Sequence, residues 1–215
     1  INVFLLGGAF GRKAYHDFLL EACFLSKELK KPVKVIWTRE DDISQGPYRP
    51  GMLSAMRGAV NGKRIAAFHH HALGESINRQ VFNGLKDHEV DDWITGELSA
   101  ENHKYNLPVW KLSWSNVKTD IPIVWWRSVY ASNFAFGQEC FMDELAHAAG
   151  QDPIEARLGI LQDDRFKKVL EVISEKANWK EKLPAGQGRG IAMFKSFGSI
   201  SACCVTVSKK GDGSV

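Results

Sequence analysis

Hydrophobic residues recur at helical spacing in three stretches of the chain. These stretches are residues 16–30, 136–149 and 165–177, and each predicts an amphipathic helix. Another helix should begin at Pro153, because Asp152 before it and Glu155 after it have the layout of a helix N-terminus. We expect the three helices that follow residue 135 to pack together as one cluster.

Apolar runs and alternating patterns predict strands elsewhere, at residues 2–6, 33–37, 52–60, 64–73, 110–117, 190–193 and 201–207. The dipeptide Asn61-Gly62 separates two of them and favours a hairpin with a type I′ turn. Residues 2–6, the first helix and residues 33–37 predict a β-turn-α-β unit with a parallel strand pair. The predicted fold class is therefore α/β, or mixed α+β, with this unit, a β-hairpin and a helical cluster.

The chain has the features of an internal fragment that spans residues 1–215. It opens without Met or a signal-peptide layout, and Asp212-Gly213 indicates a hairpin turn whose second strand has only begun. Residues 75–106 are polar and weakly periodic, so we expect a loop region with short helical pieces there. A boundary between two parts of the fragment would fall in that region.

Charge, apolar run length and cysteine spacing disfavour several classes of binding partner. The 28 basic and 25 acidic residues give a net charge of +3 and are mixed along the chain, which does not favour nucleic acid. No apolar run approaches the roughly 20 residues that span a bilayer. The four cysteines form no Cys-x-x-Cys pair, so we expect buried free thiols rather than metal ligands or an iron–sulfur cluster.

The glycine-rich segment at residues 7–13 (Gly-Gly-Ala-Phe-Gly-Arg-Lys) is the first candidate site. A turn of this kind before a helix lets backbone N–H groups approach an anionic ligand. Its glycine offsets match neither a Rossmann fingerprint nor a P-loop. Glu40 and Asp41, just past the predicted strand, leave a dinucleotide site open, and a turn that serves only chain geometry is the other alternative.

Two polar segments are further candidates for a functional site. Residues 38–50 are charged and contain two prolines, which predicts a loop that residues 39–42 cap and brace. Residues 69–71 are three successive histidines in a predicted strand, whose side chains alternate between faces and cannot converge on one metal ion. No metal ligands are therefore predicted on this chain.

Four motifs occur in one order along the chain. They are residues 7–13, residues 31–42 (Lys-Pro-Val-Lys-Val-Ile-Trp-Thr-Arg-Glu-Asp-Asp), residues 126–129 (Trp-Arg-Ser-Val) and residues 139–146 (Glu-Cys-Phe-Met-Asp-Glu-Leu-Ala). In this order and spacing they resemble the molybdenum-binding large subunit of the xanthine oxidase and aldehyde oxidoreductase family, across nearly the whole chain. The first and third motifs are most similar to the isoquinoline 1-oxidoreductase β-subunit branch.

The resemblance implies a site for molybdopterin with molybdenum, in its cytosine dinucleotide form. The residues it assigns to cofactor binding are Gly8, Phe10, Gly11, Arg127 and Ser128. A partly buried ion pair is the structural alternative for Arg127. Arg49 matches a substrate-pocket arginine of xanthine-oxidising relatives, with a salt bridge that anchors its loop as an equal alternative.

The resemblance also implies an activity for the intact enzyme, which is hydroxylation of an N-heteroaromatic or aldehyde substrate with water as the oxygen source. The family's general-base glutamate would lie beyond residue 215, so the fragment has no catalytic residue and should be inactive and free of cofactor alone. Implied partners are a small [2Fe–2S] subunit, a cytochrome c electron acceptor and a small-molecule substrate. The residues themselves leave the compartment unknown; relatives are often exported, so the resemblance allows the periplasm. A non-catalytic binding or assembly module that retains the fold is the alternative.

Overall fold

The computed structural model describes residues 5, 7–82, 85–86 and 88–214. These residues divide into two compact units. The first unit contains the described residues up to Gly51 together with Gly74–Asp91 and Asn116–Val129. The second contains Met52–Leu73, Asp92–Ser115 and the described residues from Tyr130 onward. The chain therefore passes between the units several times, and no single boundary separates them.

The first unit contains three α-helices: α1 (Asp17–Leu29), α2 (Arg39–Gln45) and α3 (Ile77–Phe82). The prediction of α1 is confirmed, although none of its residues is buried. The buried side chains of this unit include Ile77 and, in the segment after residue 122, Ile123, Val124 and Trp125. A parallel β-bridge between Tyr48 and Ile123 joins this segment to the loop that follows α2.

The predicted strand at residues 33–37 is wrong, because residues 32–38 carry neither helix nor strand. A strand is held by hydrogen bonds to a neighbouring strand. Among the described residues, 33–37 make no backbone–backbone hydrogen bond, and the partner that the prediction required, residues 2–6, lies outside the described residues except for Leu5. The β-turn-α-β unit is therefore not formed by the described part of the chain.

Helix α2 replaces part of the loop predicted at residues 38–50. Thr38 begins it with a capping box: its hydroxyl accepts from the Asp41 N–H at 3.1 Å, and the Asp41 carboxylate accepts from the Thr38 N–H at 3.0 Å. These two bonds satisfy N–H groups that the first turn of a helix leaves without partners. The sequence Thr-Arg-Glu-Asp at residues 38–41 contains the pattern of this capping box.

The second unit contains a three-stranded sheet in the order β1 (Met52–Asn61), β2 (Arg64–Gly74) and β3 (Val109–Asn116). The hairpin between β1 and β2 is confirmed, but its turn is formed by Gly62 and Lys63, since Asn61 still belongs to β1. Only Gly62 has a positive φ, of 58°. A type I′ turn requires positive φ at both central residues, so that prediction is wrong.

The rest of the second unit contains four α-helices, a short 3-10 helix (Ala100–Asn102) and one hairpin among its described residues. The helices are α4 (Asp92–Leu98), α5 (Ala131–Ala148), α6 (Pro153–Ile160) and α7 (Asp164–Lys176). The hairpin is antiparallel and pairs β4 (Gln187–Ser196) with β5 (Ser199–Ser208). Asp152 caps α6 as predicted, with its carboxylate accepting from the N–H groups of Ile154 and Glu155. The mixed α and β class is therefore confirmed.

The buried side of α5 differs from the predicted one. The helix begins five residues earlier than expected, and Phe136, one of the apolar residues whose spacing predicts an inward face, is 75% exposed. The buried residues of α5 are Ala131, Phe134, Gln138, Glu139, Met142, Leu145 and Ala146. Because Gln138 and Glu139 in this set are polar, the buried face of α5 differs from the face that hydropathy indicates.

The cysteines are free, but the expectation of burial is wrong. Cys23, Cys140 and Cys203 are exposed and Cys204 is half-buried. Cys23 belongs to α1, which buries none of its residues, and Cys140 lies on the outer side of α5. Among the described helices, none is long and apolar enough to cross a membrane.

Candidate functional site

The glycine loop, residues 7–11, lies directly against the segment that contains Trp125. A Cβ atom added to Gly11 would lie 1.3 Å from the Trp125 carbonyl oxygen, and Gly11 has φ +80°. No side chain fits in that space, and the backbone conformation also disfavours any residue with a Cβ. Glycine at position 11 is therefore required by a contact between two parts of the chain.

A hydrogen bond joins the first and third motifs. The Arg127 N–H donates to the Phe10 carbonyl oxygen at 2.8 Å. The Arg127 guanidinium lies 5.7 Å from the centroid of the Phe10 ring, within the range of a cation–π contact. The structure thus brings together two motifs that are more than one hundred residues apart in the sequence.

Several donors in this region have no acceptor in the part of the chain that the structure describes. They are the backbone N–H groups of Gly8, Ala9, Phe10, Gly11 and Ser128. The exposed Arg127 guanidinium has no carboxylate partner among the described residues either, so the ion-pair alternative for it finds no support there. Unpaired N–H groups beside a free guanidinium form an arrangement that binds an anion.

Backbone strain is concentrated at the same place. Phe10 has φ 49°, Ser128 has φ 72° and Val129 has φ 50°. Residues other than glycine rarely adopt such values, and a β-branched valine does so least readily. Each conformation costs on the order of 1–3 kcal/mol, which the surrounding contacts must offset.

Arg12 braces the glycine loop from its other end. Its two Nη atoms donate to the Asp17 carboxylate at 2.8 and 2.9 Å, and its Nε donates to Asp42 at 2.9 Å. The guanidinium also lies 5.5 Å from the Trp37 ring. The first motif is thereby tied to α1 and α2. No sequence pattern indicated this role of Arg12, because Asp17 and Asp42 lie 5 and 30 residues away from it.

Arg49 donates to the turn formed by residues 126–129. Its Nη1 reaches the Val129 carbonyl oxygen at 2.8 Å and the Ser128 hydroxyl at 3.3 Å, and its Nη2 reaches the Arg127 carbonyl oxygen at 2.6 Å. Burial lowers the pKa of Arg49 below its ordinary value, although an arginine stays protonated in a protein. Arg49 as a substrate contact stays a prediction.

The fourth motif, residues 139–146, lies in the second unit and forms a buried ionic network. Arg157, fully buried, donates from Nε to Glu139 at 3.1 Å and from Nη1 to Asp143 at 2.6 Å. Burial disfavours its charge, but the Glu139 and Asp143 carboxylates outweigh that effect and raise the pKa of Arg157. Glu139 also accepts from the Tyr105 hydroxyl and the Met193 N–H. The network joins β4, α5 and α6, so its role is structural.

The histidines of β2 alternate as predicted. His69 and His71 both contact the Ser113 hydroxyl, whereas His70 is buried and bonds to the Ser54 hydroxyl at 2.9 Å. Within the described ranges, no group of three or more His, Cys, Asp or Glu residues is arranged to hold a metal ion.

The contact between Ser54 and His70 resembles a nucleophile–base pair, but its hydrogen bonds exclude that role. Gln138 Nε2 donates to the Leu98 carbonyl oxygen, which fixes the amide orientation, and the same nitrogen lies 3.2 Å from His70 Nδ1. Nδ1 must therefore accept, which leaves the proton on Nε2, facing Ser54. A base would need that nitrogen unprotonated.

Comparisons with known proteins agree with the family resemblance of the motifs. The family model for the molybdopterin cofactor-binding domain matches residues 1–159. The chain is 29% identical over 200 residues to the isoquinoline 1-oxidoreductase subunit beta of Brevundimonas diminuta, covering 90% of this chain and 25% of that one. It is 28% identical over 217 residues to a membrane-bound aldehyde dehydrogenase (pyrroloquinoline-quinone) of Gluconacetobacter polyoxogenes, covering 89% and 28%.

Its fold matches the crystal structure of quinoline 2-oxidoreductase from Pseudomonas putida 86, with a TM-score of 0.69, 19% identity, and coverage of 88% of this chain and 27% of that one. The chain belongs to the molybdopterin cofactor-binding domain family. It spans about a quarter of the length of the curated relatives it matches.

Proposed function

We propose that this chain forms one wall of a molybdopterin site in a molybdenum hydroxylase. The intact enzyme would oxidise an N-heteroaromatic or aldehyde substrate with water as the oxygen source. One observation carries the proposal: the glycine loop packs on the Trp125 segment, and its N–H groups have no acceptor among the described residues, beside the exposed Arg127 guanidinium. The names of the relatives, which specify isoquinoline, quinoline and aldehyde oxidation, support the substrate classes.

The residues present fit an anionic cofactor. The backbone N–H groups of Gly8, Phe10, Gly11 and Ser128 would hold oxygen or dithiolene ligands by their dipoles, without adding a group that titrates. The Arg127 guanidinium would bind an oxo or phosphate oxygen through its planar fork. When bound, the cofactor supplies the two-electron oxidation. The part of this chain is to bind and orient it, and none of these groups is a base for the reaction, so the chain alone should be inactive.

The finer features of the proposal come from the resemblance. They are the cytosine dinucleotide form of the cofactor, a small [2Fe–2S] subunit, a cytochrome c acceptor, and export to the periplasm. The name of one relative includes a subunit designation, which agrees with a multi-subunit enzyme. The name of another relative includes pyrroloquinoline quinone, and a cofactor measurement therefore has two outcomes to distinguish.

The test is metal and cofactor analysis of the full-length protein that contains this chain. We expect molybdenum in the purified protein and its loss in Gly11→Ala, whose Cβ would collide with the Trp125 carbonyl oxygen. Gly7→Ala is the matched control, because a Cβ at Gly7 would have no atom within 4 Å. A protein that contains pyrroloquinoline quinone and no molybdenum would refute the proposal. A protein with neither cofactor and no oxidase activity would favour a non-catalytic module.

The inactivity of the isolated chain has its own test. The purified 215-residue chain should not reduce a dye in the presence of quinoline, isoquinoline or an aldehyde. Dye reduction that depends on substrate would contradict this part of the proposal and leave the cofactor assignment standing.

A further inference from the structure

The turn at residues 126–129 cannot be stable through its own sequence. It contains two successive left-handed residues, Ser128 and Val129, and no glycine. Among the described residues its one internal backbone bond runs from the Val129 N–H to the Trp126 carbonyl oxygen, at 2.7 Å. Something outside the turn must hold it, since strained conformations persist only where surrounding contacts fix them.

The Phe10 carbonyl oxygen supplies one such contact, since it accepts from the Arg127 N–H, and Arg49 supplies the others. Its guanidinium lies where three carbonyl oxygens of the turn converge, those of Trp126, Arg127 and Val129, at 3.4, 2.6 and 2.8 Å. Converging carbonyl dipoles repel one another unless a cation lies between them. A planar fork with fixed donors satisfies several acceptors at once, which an ammonium group does less well.

The backbone of Arg49 is itself held in place. The Tyr48 N–H donates to the Pro122 carbonyl oxygen at 2.8 Å, and the Val124 N–H donates to the Tyr48 carbonyl oxygen at 2.9 Å. Pro50, the next residue, is buried. Arg49 therefore extends from a fixed segment onto the adjacent turn.

The two arginines of the site have opposite surroundings. Both Nη atoms of Arg49 donate to the turn, whereas the exposed Arg127 guanidinium makes no hydrogen bond or ion pair with the described residues and has a cation–π contact with the Phe10 ring. We propose that Arg49 is a positioning residue, which holds the turn at residues 126–129 so that Arg127 and the Ser128 N–H face the cofactor. This inference rests on the proposed function for its ligand, but not for the contact itself, and it is the alternative to the substrate-pocket role predicted for Arg49.

The test compares Arg49→Met and Arg49→Lys in the full-length protein. We expect Arg49→Met to lower the molybdenum content and to lower kcat by the same factor for a heteroaromatic and an aldehyde substrate, by about tenfold or more, because several charge-assisted bonds are lost together. KM should change by less than about twofold, since no substrate contact is removed. Arg49→Lys should restore part of the content. Arg39→Met, an exposed arginine on α2, is the control and should match wild type.

A readout that needs no activity separates this inference from the proposed function. Amide hydrogen exchange of the peptide that contains residues 126–129 should be faster in Arg49→Met than in wild type or Arg39→Met. Unchanged exchange would overturn the positioning role even if the protein binds molybdenum. A rise in KM for one substrate class with unchanged molybdenum content would overturn it as well, in favour of a substrate contact. Faster exchange in a protein without molybdenum would support the positioning role while the proposed function fails.

Discussion

Replacement of Arg157 by methionine should destabilise the second unit strongly. Arg157 is 0% exposed, and its guanidinium donates to the Glu139 carboxylate, the Asp143 carboxylate and the Tyr105 hydroxyl. Methionine fills much of the same volume but leaves Glu139, which is only 2% exposed, as a buried charge without its cation. The cost therefore comes from the partner left behind, more than from the bonds that are lost.

The structure sets the size of the effect. Removing one partner of a buried ion pair costs about 3–5 kcal/mol. Glu139 keeps two donors, the Met193 N–H at 2.9 Å and the Tyr105 hydroxyl at 3.0 Å. We therefore expect a loss near the lower end, about 3 kcal/mol, which is a large fraction of the roughly 5–15 kcal/mol that stabilises an ordinary domain. Adding Glu139→Gln should recover much of it, because glutamine removes the charge and keeps an acceptor for Met193.

The assay is urea unfolding monitored by tryptophan fluorescence. With a slope of about 2–3 kcal/mol per molar urea, a loss of about 3 kcal/mol moves the midpoint down by roughly 1 M. Lys168→Met is the control, since Lys168 and Glu171 form an exposed pair at 3.8 Å. It should change the free energy of unfolding by less than about 0.5 kcal/mol. An Arg157→Met protein within about 1 kcal/mol of wild type, or a double variant no more stable than the single one, would refute the reasoning.

Three shorter predictions concern a cap, a buried histidine and the glycine loop. Asp152→Ala should cost about 1–2 kcal/mol in urea unfolding, because the carboxylate caps α6 and also accepts from Trp179 Nε1 at 2.8 Å. Burial lowers the pKa of His103 to about 3, so the unfolded chain binds this proton at higher pH than the folded one. The free energy of unfolding should fall as the pH drops from about 6.5 toward 4. In His103→Phe the slope of this free energy against pH should be smaller, by up to the equivalent of one bound proton. Gly11→Ala should also lower the urea midpoint, while Gly7→Ala should leave it unchanged.

Local signals predicted the elements that local interactions form. The cap at Asp152, the hairpin near Gly62 and the period of α1 and α7 all lie within a few residues of sequence, and the structure confirms them. The α2 helix could also have been predicted from the sequence, because the capping box at Thr38 is a local pattern. It was missed because the charges and prolines around it favoured a loop.

Elements that depend on distant partners were predicted poorly. A strand at residues 33–37 needs a neighbour, and apolar spacing alone does not supply one. The buried stripe of α5 includes Glu139, which no hydropathy pattern places inside, because its burial depends on Arg157 in the next helix. Cys23, Cys140 and Cys203 are exposed for a related reason, since an apolar pattern shows that a face prefers burial and not what covers it.

The candidate site shows the same difference between local sequence signals and contacts with distant partners. The sequence by itself determined that the chain has a glycine loop at residues 7–11, an arginine motif at residues 126–129 and the order of motifs that carries the family resemblance. Only the tertiary structure decided that the first two meet, that Gly11 has no room for a side chain, and that Arg49 faces the turn. The physical reason is that these contacts join residues about 80 to 117 positions apart, where neither period nor propensity carries information.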